Sequence, residues 1–125
     1  MKQNMFPEDF YTYLNENTLV EVKGGTTRKS FLHIWLVVVE GRVFGRSWNK
    51  SEKSWFTAAV KTGVGAIKYG EKILEVKGRK VAFDDPIQHR VSQAYIDKYH
   101  QPENIAYAEG IAQKEYFDRT LEFVL

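Results

Sequence analysis

Phe31-Leu-His-Ile-Trp-Leu-Val-Val-Val-Glu-Gly-Arg-Val-Phe-Gly-Arg-Ser-Trp48 decides the fold. Glu40-Gly41, with glycine second and β-branched residues on one side, is a strong two-residue hairpin signal. Once the turn is placed, the register follows. Val39 stands opposite Arg42, Val37 opposite Phe44, Trp35 opposite Arg46 and His33 opposite Trp48, all on one face. The other face carries Leu32, Ile34, Leu36 and Val38 against Val43, Gly45, Ser47 and Asn49. That second face is aliphatic or small, as a core requires. The first carries two indoles, an imidazole and two guanidiniums, and is expected to meet something.

Outward from the hairpin, the chain reads as meandering strands with helices gathered at the ends. Pro7, Glu8 and Asp9 followed by Phe10, Tyr13 and Leu14 predict a first helix lying on the sheet. Thr18 to Val22 is a strand ending at Gly24-Gly25, and Thr26 to Ser30 is a basic, hydroxyl-rich loop. Trp55 to Lys61 is a short helix stopped by Gly63, its aromatic start packing under the hairpin. Ala66–Tyr69 and Lys72–Val76 form a second hairpin around Gly70-Glu71. Leu74 and Val76 are even whereas Val81 and Phe83 are odd, a change of parity that predicts a bulge or bend at Gly78.

Asp85-Pro86-Ile87-Gln88 has the form of a helix start, with Asp85 as cap and Pro86 at the first helical position. That helix is expected to bury Ile87, Val91, Ala94, Tyr95 and Tyr99. A second helical stretch runs from Glu103 to about Phe117, weakened by Gly110, and 120–125 is a final strand. The order indicates an α+β fold whose antiparallel sheet can close into a barrel.

At 125 residues the chain is long enough to bury a core without metal or disulfide support, and one domain over 1–125 is expected. Cysteine is absent, which excludes a disulfide framework, a thiolate zinc site and a cysteine nucleophile. The start of the chain has no secretory pattern and the longest apolar run, Ile34 to Val39, cannot span a bilayer, so a cytoplasmic protein with no membrane partner is expected. The net charge of +2 conceals a basic centre: residues 23–80 carry thirteen Lys and Arg against four Glu. Such a centre between acidic flanks suits an anionic ligand, or else lysines that protect edge strands from aggregation.

Arg46 beside Ser47 offers a guanidinium fork and a hydroxyl to a phosphate. The competing structural reading puts Arg46 over the indole of Trp35 across the hairpin. Arg46 and Ser47 point to opposite faces of a regular strand, so they share a ligand only at a barrel rim or bulge. Trp35 and Trp48 are candidates for stacking on a ring system, or for filling a core or interface. His33, His89 and His100 lack metal-ligand spacing, so no metal site is expected. Asp84-Asp85 is explained by helix capping. No serine lies in a nucleophile elbow, and Gly63-Val-Gly65 lacks the rest of a dinucleotide fingerprint. Lys77, Arg79 and Lys80 around Gly78 read as a solvated turn before they read as a nucleic-acid contact.

Ile34 to Ser47, followed by Trp55-Phe56 and by Ala94-Tyr-Ile-Asp-Lys-Tyr99, resembles a bacterial family known as domain of unknown function 2255. That family is similar to the FMN-binding split β-barrels, which include pyridoxamine phosphate oxidases and deazaflavin-dependent nitroreductases. The resemblance implies a six-stranded antiparallel split β-barrel with peripheral helices, a homodimer, and FMN or a deazaflavin at the subunit interface. It assigns the cofactor phosphate to Arg28, Lys29, Ser30, Arg46 and Ser47, whereas His33, Trp35 and Trp48 come from the hairpin face itself. The chain has Gly25-Thr-Thr-Arg-Lys-Ser30 where the deazaflavin enzymes have a glycine-arginine-x-serine-glycine loop.

Three functions therefore compete. The first is a flavin- or deazaflavin-binding barrel of oxidoreductase type, in which the cofactor carries the redox chemistry and no catalytic residue is assigned. The second is a non-catalytic barrel that holds a small anionic ligand or a partner on the same face. The third, weakest on these residues, is a nucleic-acid-binding domain using the basic middle segment.

Overall fold

A computed structural model of the chain describes residues 6–27, 29–48 and 51–125. In chain order the elements are α1 (Glu8–Glu16), β1 (Val20–Gly24), β2 (Leu32–Ile34), β3 (Leu36–Val39), β4 (Arg42–Arg46), α2 (Trp55–Thr62), β5 (Val64–Tyr69), β6 (Lys72–Lys80), α3 (Ile87–Lys98) and α4 (Ile105–Ile111). A 3₁₀ turn (Lys114–Arg119) then leads into β7 (Thr120–Val124). The seven strands form one antiparallel sheet in the order β2-β1-β5-β6-β7-β4-β3.

The two ends of that order, β2 and β3, are consecutive in the chain and separated by Trp35 alone. A single extended run therefore pairs with β1 on one side of Trp35 and with β4 on the other. This joins the sheet's edges into a nearly closed barrel, and it raises the strand count from the six expected to seven. The cause is visible in the backbone groups at the break. Tyr95 Oη donates to the Trp35 carbonyl at 3.0 Å, while Lys98 Nζ and Tyr99 Oη donate to the Leu36 carbonyl at 2.8 and 3.3 Å. Carbonyls that leave a ladder need other donors when buried, and α3 supplies them.

The hairpin register holds where the turn controls it. Val39 pairs with Arg42, Val37 with Phe44 and Leu36 with Gly45. Glu40 and Gly41 have φ of 53° and 79°, the left-handed pair that a tight two-residue hairpin needs. Beyond Leu36 the expected register fails: His33 pairs with Glu21 of β1 and not with Trp48.

Apolar side chains collect in two layers. Val22, Leu36, Val43, Ile67, Val76, Leu121 and Phe123 fill the barrel, with Phe10 and Leu14 of α1 and Trp55 and Phe56 of α2. Both helices have their expected apolar faces. Gly63 ends α2 at φ 75°, and Gly24 lies so close to the α2 backbone that a Cβ would be 2.1 Å from the Trp55 carbonyl oxygen. The second layer lies outside the sheet, where Val37, Val39, Phe44 and Val81 meet Ile87, Val91 and Tyr95 of α3, Tyr99 just past its end, and Ala108 and Ile111 of α4. The hairpin's first face thus meets the chain's own helices over much of its length.

Two layers also explain the parity change in β6. The β6–β7 ladder runs regularly from Lys77 to Lys80 through Gly78, with neither a bulge nor a turn there. Even positions face the barrel, whereas Val81 faces the outer layer under α3. Phe83 lies past the strand's end and is half exposed. Both faces of β7 are covered, so all five of its residues are buried. Asp85 caps α3 by accepting from Ile87 N at 2.9 Å. Among the described residues no helix is long and apolar enough to cross a membrane.

Candidate functional site

A cavity of about 360 Å³ opens where the chain, passing from β3 back into β2, parts from β4. One wall is His33, Ile34 and Trp35. The opposite wall is Arg46, Ser47 and Trp48 at the end of β4, and Trp55 at the start of α2 and Ile111 of α4 complete the lining. The chain has three tryptophans, and all three line this space. Five expected site residues, His33, Trp35, Arg46, Ser47 and Trp48, are brought together here. Arg46 is the last residue of β4, so it and Ser47 share the cavity at a rim, the one arrangement that alternation along a strand allows.

The preceding loop does not join them. Lys29 and Ser30 are exposed and do not line the cavity, and Arg28 lies outside the described residues. Lys53, Ser54, Trp55, Leu19 and Ile111 line it without having been expected to, because nothing local ties them to the hairpin.

Arg46 is only 2% exposed. Its Nε donates to Thr120 Oγ1 at 2.9 Å, Nη1 to Ser92 Oγ and the Ile111 carbonyl at 2.8 and 3.0 Å, and Nη2 to the Gln88 carbonyl and Oε1 at 3.0 and 2.9 Å. All five N–H groups of the fork are thus engaged within the chain, and a phosphate finds none directed to it. The ring beneath the guanidinium is also not the one expected. Its carbon lies 4.9 Å from the Phe117 centroid and 5.8 Å from that of Tyr95, while Trp35 stacks on Tyr99 at 3.9 Å with the planes 6° apart. Burial lowers the Arg46 pKa to about 10, partly offset by the Tyr95 hydroxyl, so the group remains a cation at neutral pH.

Gln88 ties this cluster together. Its Nε2 donates to the Ala82 and Phe117 carbonyls at 3.0 and 2.8 Å, and its Oε1 accepts from Arg46 and Thr120. Tyr95 Oη accepts from Arg46 N at 2.8 Å and donates to the Trp35 carbonyl, so one hydroxyl spans the two walls. Burial raises the pKa of both Tyr95 and Tyr99, which keeps them protonated donors.

Trp48 is 45% exposed and packs edge-on against Tyr116 and Tyr107 at 5.1 and 6.2 Å. A Cβ on Gly110 would sit 2.9 Å from its Cη2. The glycine that weakens α4 therefore makes room for a cavity wall.

A family model describing an uncharacterised protein conserved in bacteria matches residues 15–123. The chain belongs to this family, domain of unknown function 2255. Among solved structures, the conserved hypothetical protein Rv2991 from Mycobacterium tuberculosis is similar over 100% of this chain and 82% of its own, with a TM-score of 0.61 and 13% identity. At that identity the likeness shows a shared fold alone. No curated protein matches the sequence.

Proposed function

We propose that this DUF2255 protein holds a planar aromatic molecule, foremost the ring system of FMN or a deazaflavin, in the cavity beside β2. The observation that carries the reading is the gathering of all three tryptophans around one space. Indoles present flat, rigid faces that stack on ring systems, and cavities of about 300 to 1,000 Å³ take small ligands.

The residues fit a flavin's ring better than they fit the phosphate grip expected at Arg46, whose donors are all engaged. The lining also carries His33, Ser47, Lys53 and Ser54, polar or cationic residues beside which the ligand's hydrophilic end would lie. Trp35, Trp48 and Trp55 would hold the ring, and Ile111 and Ile34 would exclude water from it. A bound flavin would supply the redox chemistry of an oxidoreductase, and the chain's contribution is binding and orientation. The expected homodimer belongs to the same proposal: Leu19, Leu32 and Trp48 are exposed apolar residues at the cavity, the kind of surface a second copy covers.

Titration of tryptophan fluorescence with FMN, FAD and a deazaflavin tests the reading. Saturable quenching at micromolar ligand is expected, because every indole of the chain lines the site. No quenching by any of the three would overturn the flavin assignment.

A further inference from the structure

Resting on the aromatic-ligand reading above, we propose that the ligand of this cavity is an anion, its charge matched through space to the buried guanidinium of Arg46 and not by a hydrogen bond from it. Three observations converge. Arg46 is almost fully buried yet forms no ion pair among the described residues, whereas Arg42 and Arg79 pair with Glu122, Lys72 with Asp9 and Arg90 with Glu40. Its partners are a threonine and a serine hydroxyl, a glutamine amide and two backbone carbonyls, all neutral. Among the described residues, the cavity that Arg46 helps to line includes Lys53 and His33 and no aspartate or glutamate.

Buried charges are ordinarily paired, because desolvating one is expensive. Neutral acceptors satisfy the N–H groups of Arg46 but leave its positive charge uncompensated. A charge held among apolar walls acts over several ångströms, and Arg46 is itself one of the residues that line the cavity. An aromatic ring that carries a carboxylate, or is itself ionised, would supply the missing charge. A neutral ring of the same shape would not, and a cationic one would be repelled.

The experiment compares 2-naphthoate with 2-naphthamide, which share a ring and differ in charge, by quenching of tryptophan fluorescence. Titrations are run on the native chain at about 50 mM and about 500 mM salt. The expected result is an affinity for naphthoate about tenfold above that for naphthamide, retained at high salt. Equal affinity for the two probes would overturn the proposal while leaving the aromatic-ligand reading in place. A preference that vanishes with salt would also overturn it, by assigning the selection to the exposed rim. Binding of neither probe would overturn the proposal, and the flavin titration above decides the aromatic-ligand reading separately.

Discussion

The two ends of the β3–β4 hairpin obey different rules. At the turn, Glu40 and Gly41 set the pairing of Val39 with Arg42, and strand alternation carries it to Leu36 and Gly45. At the open end the same alternation calls for Trp35 against Arg46 and His33 against Trp48, and neither pair forms. There the chain turns away to β1, and α3 occupies the hairpin's outer face with Tyr95, Tyr99 and Lys98. Local geometry governs a few residues on either side of a tight turn; beyond them, burial and hydrogen-bond satisfaction across the molecule take over. The cavity sits at the end where local control has lapsed.

Arg46→Ala is the most forceful way to break that comparison. It removes five hydrogen bonds, four of them buried, and leaves Gln88 and Thr120 short of a donor, so a loss of about 3 to 5 kcal/mol in a denaturant titration is expected. A loss within the range of an ordinary surface substitution would show that the open end is not organised around this cation.

Tyr95→Phe sharpens the comparison, since it deletes only the hydroxyl that accepts from Arg46 N and donates to the Trp35 carbonyl. About 2 kcal/mol of stability should go, with amide exchange accelerating at Trp35 and Arg46 while Val38 and Val43 near the turn stay protected. Uniform acceleration along the hairpin would mean that its two ends are one cooperative unit.

The smallest effect is expected at Lys98, whose Nζ donates to the Leu36 carbonyl and whose pKa burial lowers from 10.5 to about 8. Between pH 8 and 10.5 the unfolded chain binds this proton and the native chain does not, so stability rises with pH across that window. Below pH 8 both states are protonated and the cost of burying the charge is constant. Lys98→Met should therefore flatten the rise and add about 1 kcal/mol at pH 7, the Tyr99 hydroxyl, 2.8 Å from the Thr18 carbonyl, staying 3.3 Å from that of Leu36. Melting curves at pH 7 and pH 9.5 measure both quantities; an unchanged slope would mean that Lys98 titrates as it does in the unfolded chain.

Much of the fold was legible in residue order. The Glu40-Gly41 turn, the Asp85 cap, the stop at Gly63 and the buried positions of α3 rest on interactions within a few residues of each other, so spacing records them. The parity change between Val76 and Val81 was visible but pointed to the wrong cause. One apolar strand facing a barrel and then a helical layer produces the same pattern as a bulge in a strand with one covered face. The site was half legible: five of the eight expected residues share the cavity because they flank the point where the two arms of the hairpin part, at the end of the paired stretch that the turn sets. Lys53 from the turn before α2, Trp55 of α2 and Ile111 of α4 join them, and no local spacing links those segments to β4.

By itself the sequence determined an α+β chain with an antiparallel sheet, the register near its tightest turn, and a concentration of indoles and cations around one hairpin. These follow from short-range sterics and from alternating burial, which operate wherever the segment is placed. Only the tertiary structure decided that the strand breaks at Trp35, that β2 and β3 end on opposite edges, and that Arg46 is a buried, fully bonded cation instead of an open grip. Those outcomes depend on donors and acceptors brought from Gln88, Ser92, Tyr95, Ile111 and Thr120, at least 42 residues away in the chain. Which buried group finds which partner is settled when the whole molecule closes.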